Sequence, residues 1–210
     1  MGEKGKLYNF GHAVDVDIIK NITDVFEYVM SNTSEAELFD AVNWYPLANS
    51  FCAAWAENFG LTIAQFAGIV AALSPQLSWE KNKAQALETI ARLQNGRTLD
   101  GMMAYPANKA KAIRIFKGEN PLSVLGGNKV RSFYQNIMLD AESVTIDRHA
   151  CAIALYGLNT DKSGQVSVTD KLYKLLARAY ADVAHNYDVA PFVIQSVTWT
   201  YKAFNGGKVV

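Results

Sequence analysis

The chain has 210 residues, half of them apolar, and its 20 basic and 20 acidic side chains leave no net charge. This length and composition are sufficient for a sizeable core, in one domain or two small lobes, and they exclude a disordered chain. The longest apolar run, around residues 66–73, is too short to cross a bilayer. We therefore expect a cytoplasmic protein, without a signal peptide or a membrane partner.

Helical spacing of apolar residues dominates the chain from end to end. In chain order it predicts helices over 14–30, 34–42, 46–59, 63–73, 78–94, 106–116, 121–124, 128–139, 147–156, 169–185 and 191–204. The pair Trp44-Tyr45 is expected to separate the second and third of these helices, and Asp161–Gly164 to form a loop. No β-hairpin pattern is present, although residues 144–146 are expected to be briefly extended. The prediction is an all-α fold of about ten helices.

Start and stop signals support several of these boundaries. Thr62 with Gln65 three residues later is typical of a capping box. Gly60 and Gly96 follow the last apolar positions of two helices, where glycine often ends a helix. Pro106 is suited to the first turn of another helix.

The two cysteines, Cys52 and Cys151, lie within helical apolar patterns. We expect buried free thiols in a reducing compartment. Two cysteines alone cannot hold an iron–sulfur cluster or an all-cysteine zinc site. The sequence therefore predicts no iron–sulfur cluster, no metal and no cofactor.

Charge is unevenly distributed along the chain. The middle segment, residues 81–131, holds ten basic and three acidic residues, whereas the N-terminal flank is acidic. Such a basic segment suits a surface that faces phosphates, although for any one of these lysines a place on a solvated helix face is the better interpretation. The basic residues are Lys81, Lys83, Arg92, Arg97, Lys109, Lys111, Arg114, Lys117, Lys129 and Arg131.

A Gly-Gly turn in LGGNKV places Lys129 at the start of a predicted helix, and Asp147 heads the next helix 18 positions later in VTIDRH. A short helix, a glycine turn and a second helix have the form of a helix–hairpin–helix element. Gly126 and Gly127 permit close approach of the backbone, and the following helix offers free N–H groups to a phosphate.

These residues resemble the helix–hairpin–helix (HhH-GPD) DNA glycosylase superfamily, whose members include endonuclease III and 8-oxoguanine glycosylase. In that superfamily a hairpin L-x-G-x-G-x-K is followed by V-D-x-H, in agreement with Lys129 and Asp147 in type and spacing. Upstream, ALSPQLSWEKNKA is similar to the L-L-S-x-Q…N-K-A block of endonuclease III, with Gln76 and Asn82 at the matching positions. The resemblance covers roughly residues 63–155.

The resemblance implies one domain of two lobes over residues 1–210. The N- and C-terminal helices would form one lobe, and residues 63–155 the helical core with its hairpin at 121–139. Two departures affect the hairpin and the segment after it. Leu125 occupies the position of the first hairpin glycine, and Arg148 is bulkier than the usual residue between the aspartate and the histidine.

The resemblance also implies roles for individual residues. Lys129 would attack the anomeric carbon of the sugar as a neutral amine, which burial and the helix N-terminus would favour, and Asp147 would take its proton. Gln76 would probe the space left by a flipped base, and Trp79, Trp44 or Tyr45 would stack on the base. The residues expected to contact DNA or its base are Gln76, Trp79, Asn82, Gly126, Gly127, Asn128, Arg148 and His149.

Structural roles compete with each of these assignments. Lys129 alone is a typical solvated lysine, and Asp147 alone is a typical N-cap. Gln76 could be an ordinary loop residue, and the tryptophans could pack in the core. His149 is balanced between a phosphate contact and an internal hydrogen bond.

Three hypotheses for function follow. The first is a DNA N-glycosylase, with or without lysine-dependent lyase activity, that acts on a damaged or modified base in bacterial or phage-infected cytoplasm. The alternative is a transferase similar to a bacteriophage clade of the same superfamily, which adds an amine or amino acid to an activated thymine in DNA. The third is a non-catalytic DNA-binding module. The partner in each is DNA, as a duplex with a flipped base or as a single strand, and the protein is taken as a monomer.

Overall fold

The computed structural model of the chain describes residues 12–156 and 168–204. Eleven α-helices, and no β-strand, are found among these residues, which confirms the all-α prediction. They are α1 (His12–Asn32), α2 (Glu35–Val42), α3 (Trp44–Asn58), α4 (Ile63–Leu73), α5 (Trp79–Gln94), α6 (Pro106–Phe116), α7 (Pro121–Val124), α8 (Asn128–Ile137), α9 (Arg148–Ala154), α10 (Asp170–Asn186) and α11 (Pro191–Phe204).

Local signals in the sequence account for most helix boundaries. At the start of α4, Gln65 N–H donates to Thr62 Oγ1 over 3.1 Å and Thr62 N–H donates to Gln65 Oε1 over 3.0 Å, so the predicted capping box is confirmed. Gly60 and Gly96 both have φ of 64°, a conformation that glycine adopts without strain. Pro106 opens α6 as expected.

Several predicted boundaries are shifted by one or two residues, and two of these differences have a clear physical reason. Trp44 and Tyr45 are the first two residues of α3 and do not separate two helices. Pro46 is tolerated inside this helix because the N–H groups of a first turn have no intrahelical acceptor. The helix α8 ends at Ile137, and Leu139 beyond it has a left-handed φ of 61°. The predicted loop Asp161–Gly164 lies outside the described residues.

The central helix is α4, in which every residue from Phe66 to Leu73 is buried. A Cβ atom on Gly68 would lie 2.8 Å from Cγ of Pro121. The absence of a side chain at Gly68 therefore lets α7 pack directly on α4, which fixes the position of the turn that follows α7.

The buried apolar residues form two clusters. The first joins α1, α9, α10 and α11, with Ile18, Ile22, Leu176 and Ile194 among its fully buried members. The second joins helices α3 to α8 around α4. The Tyr45 hydroxyl, on the second cluster, donates to Gln195 Oε1 of α11 over 2.9 Å, so a buried hydrogen bond connects the two groups of helices.

No single helix among the described residues is long and apolar enough to span a membrane. Helices α3 and α4 reach that length and apolar character only when they are taken together, and they are bent by 117° relative to each other.

Candidate functional site

A cavity of about 500 Å³ opens where the two clusters meet. It is lined by the first residues of α3, the loop before α5, the start of α8, the segment before α9, one face of α2 and one face of α11. The lining residues are Glu37, Asp40, Ala41, Trp44, Tyr45, Ser74, Leu77, Ser78, Trp79, Asn82, Lys129, Phe133, Thr145, Asp147, Gln195, Ser196, Trp199 and Thr200. Six residues singled out from the sequence therefore come together here: Lys129, Asp147, Asn82, Trp79, Trp44 and Tyr45.

Aromatic side chains form much of the cavity wall. The ring centroid of Trp44 lies 4.8 Å from that of Tyr45, 5.2 Å from that of Trp79 and 6.1 Å from that of Phe133. Trp199 of α11 lines the same space. Flat apolar faces with polar groups between them are typical of sites that bind planar ligands.

Lys129 is the second residue of α8 and lines the cavity, as the predicted helix start required. Gly127, with φ of 77°, precedes the helix as its N-cap, and glycine is suited to this left-handed turn. The side chain of Lys129 is exposed, so the expectation that it is buried is wrong.

Asp147 is the N-cap of α9. Its Oδ1 accepts from His149 N–H over 2.9 Å and from Ala150 N–H over 2.8 Å, which satisfies two N–H groups of the first turn. The capping role predicted for this residue is confirmed. Asp147 also lines the cavity, and the hydrogen bonds given for the described residues engage only its Oδ1.

The charged side chains of the site affect the pKa values of buried tyrosine and cysteine side chains. Burial raises the pKa of Tyr45 and of Tyr180 above the ordinary value for tyrosine, and the Asp147 carboxylate adds to both rises. Burial raises the pKa of the Cys151 thiol to about 12; Asp147 adds to this rise and the Lys129 ammonium opposes it.

Trp79 and Asn82 are the first and fourth residues of α5. Asn82 is only 2% exposed, and its Nδ2 donates to the Val70 carbonyl over 3.0 Å. Its Oδ1 is buried and has no hydrogen-bond partner among the described residues. Trp79 packs against Phe51 with centroids 5.8 Å apart, and Lys83 Nζ lies 5.6 Å from the Trp79 ring.

Gln76 lies outside the cavity lining. It is exposed in the loop between α4 and α5, one residue before Leu77 of the lining, and its φ of 65° is left-handed. Its Oε1 accepts from the Tyr105 hydroxyl over 2.7 Å. A non-glycine residue in this conformation is uncommon and is often found at functional sites.

The hairpin residues Gly126, Gly127 and Asn128 also lie outside the lining. The side-chain amide of Asn128 donates to Asp170 Oδ1 over 2.9 Å, which ties the hairpin to α10. Lys111 Nζ lies 3.6 Å from the place that a Cβ on Gly126 would occupy, so an ammonium group sits beside the turn.

The two departures from the superfamily pattern have simple structural consequences. Leu125 is 2% exposed in an extended conformation, so this position needs no glycine. Arg148 opens α9, is exposed and does not line the cavity. His149 is half-buried, and its ring lies edge-on to Trp199 with centroids 6.0 Å apart; it therefore supports a cavity wall from outside the lining.

Part of the predicted basic segment is paired with acids. Arg92 contacts Glu88, Arg114 contacts Glu119, and Lys83 contacts Glu80, at 2.6, 2.6 and 2.9 Å. Among the described ion pairs none involves Lys111 or Lys129, whereas Nη1 of Arg131 donates to the Leu122 and Leu125 carbonyls over 2.6 and 3.5 Å.

Sequence reasoning missed the contributions of α2 and α11. Glu37 and Asp40 lie on one face of α2, and Gln195, Ser196 and Thr200 follow one face of α11. Helical spacing predicts which residues share a face of α2 or of α11. It does not predict that these faces lie near the hairpin, because more than 50 residues separate each of them from the hairpin in the sequence.

The fold and the cavity define an all-α protein with a cavity lined by aromatic and acidic side chains near the Gly126-Gly127 turn. The chain matches the sequence profile of a family of unknown function (DUF7178) over residues 12–205, and it belongs to that family. No curated protein and no solved structure matches the chain.

Proposed function

We propose that the protein acts on a DNA base held outside the helical stack, and that it is a DNA N-glycosylase. One observation carries this proposal: Lys129 and Asp147, the two residues that glycosidic chemistry needs, line one cavity with aromatic walls. Its volume of about 500 Å³ is within the usual range for small-molecule sites.

We further propose that the chain has the two-lobed HhH-GPD fold. The separation of its buried apolar residues into two clusters supports this proposal, with terminal helices in one and α3 to α8 in the other. The order of α7, the Gly126-Gly127 turn and α8 supports a helix–hairpin–helix element. The hairpin would bind the phosphates of a duplex or a single strand, aided by Lys111 beside the turn.

The surroundings of the cavity suit a flipped base. A base inside duplex DNA cannot be reached, so it must leave the stack and enter the pocket. Trp44 and Trp79 offer faces for stacking on the base. Gln76, exposed on the loop next to the lining and held by Tyr105, is placed to fill the space that the base leaves.

The proposed reaction uses Lys129 as nucleophile and Asp147 as proton acceptor. Asp147 takes a proton from the Lys129 ammonium, and Nζ forms a bond to C1′ as the bond from C1′ to the base nitrogen breaks. The base leaves with that electron pair and takes a proton from the medium. Loss of a second proton from Nζ and opening of the sugar ring, with protonation of its O4′, give a Schiff base.

The experiment is borohydride trapping on oligonucleotides that carry modified pyrimidines or abasic sites. We expect a covalent complex with the wild-type protein, none with Lys129→Ala and little with Asp147→Asn. Lys81→Ala is the matched control, because Lys81 is also an exposed lysine in the first turn of a helix but does not line the cavity.

Three results would change the assignment. A complex that persists in Lys129→Ala would remove this lysine as nucleophile. Base release without a complex would leave a monofunctional glycosylase, in which Asp147 activates water. Intact bases and no complex would remove glycosylase activity altogether.

The exposure of Lys129 favours a second candidate. An exposed amine remains hydrated and is a weaker nucleophile than a desolvated one, whereas a transferase that joins an amine to an activated thymine needs no nucleophilic lysine. This candidate predicts a mass increase of the base in DNA with the glycosidic bond intact. Unchanged DNA with retained binding would instead indicate a non-catalytic DNA-binding module.

A further inference from the structure

Hydrogen-bond donors of the cavity lining are largely engaged by the protein itself. The hydroxyl of Ser74 donates to the Ala71 carbonyl over 2.9 Å, and that of Thr145 donates to Asn136 Oδ1 over 2.7 Å. The oxygen atoms of these side chains can therefore only accept a bond from a ligand.

The same holds on the α11 side of the cavity. The hydroxyls of Ser196 and Thr200 donate to backbone carbonyls over 3.1 and 3.2 Å, and the Tyr45 hydroxyl donates to Gln195 Oε1. Among the described lining residues, the side-chain donors that remain are the Lys129 ammonium, the Ser78 hydroxyl, the amide nitrogen of Gln195, the second N–H of the Asn82 amide and the three indole N–H groups.

Asn82 is an acceptor with a fixed orientation. Its Nδ2 lies 3.0 Å from the Val70 carbonyl oxygen, and a flipped amide would set two acceptor oxygens against each other at that distance. The carbonyl oxygen Oδ1 is thereby left buried without a partner among the described residues. A buried acceptor without a donor is costly, so a ligand that brings an N–H group to Asn82 is favoured.

The charges of the lining residues also favour a ligand that donates hydrogen bonds. The lining contains three carboxylates and one ammonium. The carboxylates are those of Glu37, Asp40 and Asp147, and the ammonium is that of Lys129. Between aromatic faces, an excess of negative charge favours a ligand group that is positive or rich in N–H donors.

We infer that the base bound in this cavity carries an amino group, which donates to Asn82 Oδ1. This inference rests on the proposed function, because it names the class of base that the site selects. The amino group could belong to the ring, as in cytosine and adenine, or to a substituent, as in an aminomethylated pyrimidine.

The test measures binding of the full chain to single strands in which every position except the centre is an abasic spacer. Three matched pairs of central bases are compared by fluorescence anisotropy: cytosine with uracil, adenine with hypoxanthine, and 5-aminomethyluracil with thymine. We expect the amino member of at least one pair to bind about tenfold tighter or more, since the other member lacks the amino group that pairs with Asn82. The pair that shows the preference identifies the source of the amino group.

Two variants assign the preference to Asn82. Asn82→Leu is expected to reduce the ratio within the pair to about one, because it removes the acceptor. Gln85→Leu, on the same face of α5, also loses a buried amide with an unpartnered oxygen but does not line the cavity, and it should keep the ratio.

The results separate this inference from the proposed function. Equal or tighter binding of the oxo and methyl members in all three pairs would overturn the inference and leave a base-binding enzyme. A preference that survives Asn82→Leu would overturn the role of Asn82. Binding of every strand no tighter than a strand made only of spacers would overturn both proposals.

Discussion

Replacing Asp147 separates its capping role from its proposed chemical role. The change Asp147→Ala removes the acceptor of two hydrogen bonds, from His149 N–H at 2.9 Å and Ala150 N–H at 2.8 Å. Loss of an N-cap costs about 1–2 kcal/mol of unfolding free energy. For a chain of this length that corresponds to a fall in Tm of roughly 2–8 °C.

The change Asp147→Asn keeps an oxygen at the same place, and asparagine caps helices as well as aspartate does. It removes the favourable interaction of a charge with the helix N-terminus, worth about 1 kcal/mol or less. Activity should nevertheless fall by about 10²–10⁴-fold, as is usual when a proton-transfer group is lost. The two variants thus differ in stability but share the loss of activity.

Urea denaturation followed by circular dichroism measures the first quantity, and base release under single-turnover conditions measures the second. Thr169→Ala is the matched control, because Thr169 caps α10 by accepting from Leu172 N–H over 3.2 Å and does not line the cavity. It should lose about 1 kcal/mol and keep full activity. An active Asp147→Asn, or an Asp147→Ala as stable as the wild type, would refute this reasoning.

Two further predictions concern stability alone. Gly68→Ala should lower the free energy of unfolding, measured by urea denaturation, by about 1–3 kcal/mol, because its Cβ would lie 2.8 Å from Pro121 Cγ. Gly126→Ala should lower it far less, because the atom nearest to its Cβ would be 3.6 Å away. Equal losses in the two variants would show that α7 moves freely. Burial raises the pKa of both Cys52 and Cys151 to about 12 from 9.0. The folded state therefore holds these protons more tightly than the unfolded state, so the contribution of the thiols to stability should be constant below pH 9 and fall between pH 9 and 12, by up to about 1.4 kcal/mol per pH unit for each thiol. Stability that rises across this range, or thiols that react at pH 8 with a disulfide reagent as fast in the folded as in the unfolded protein, would contradict the burial of these residues.

Local signals in the sequence are sufficient to predict most of the helices. Pro106, Pro121 and the Thr62 capping box fix helix starts through interactions within one turn, and α4, α6, α7 and α11 have the predicted bounds. The start of α3 was predicted wrongly because a proline is equally compatible with the first and third positions of a helix. Only tertiary packing of Trp44 and Tyr45 distinguishes these possibilities.

The candidate site could be predicted only in part, for a related reason. The segments around Lys129 and Asp147 are joined by one short helix and one turn, so their spacing in sequence limits their separation in space. The partners from α2 and α11 are placed by packing between distant segments: the hydrogen bond from Tyr45 to Gln195 spans 150 residues. The free acceptor of Asn82 depends in turn on the Val70 carbonyl of another helix, which spacing along the chain does not reveal.

The proposed function requires that a base enter the cavity beside Lys129 and Asp147. Photocrosslinking tests it without depending on the reaction: a single strand with one 5-iodopyrimidine among abasic spacers is irradiated with the protein, and the crosslinked peptide is sequenced by mass spectrometry. We predict crosslinks to the aromatic wall of the cavity, at Trp44, Trp79 or Trp199. Crosslinks confined to the hairpin around residues 125–131 would show that DNA binds while its base stays outside, and would contradict the account.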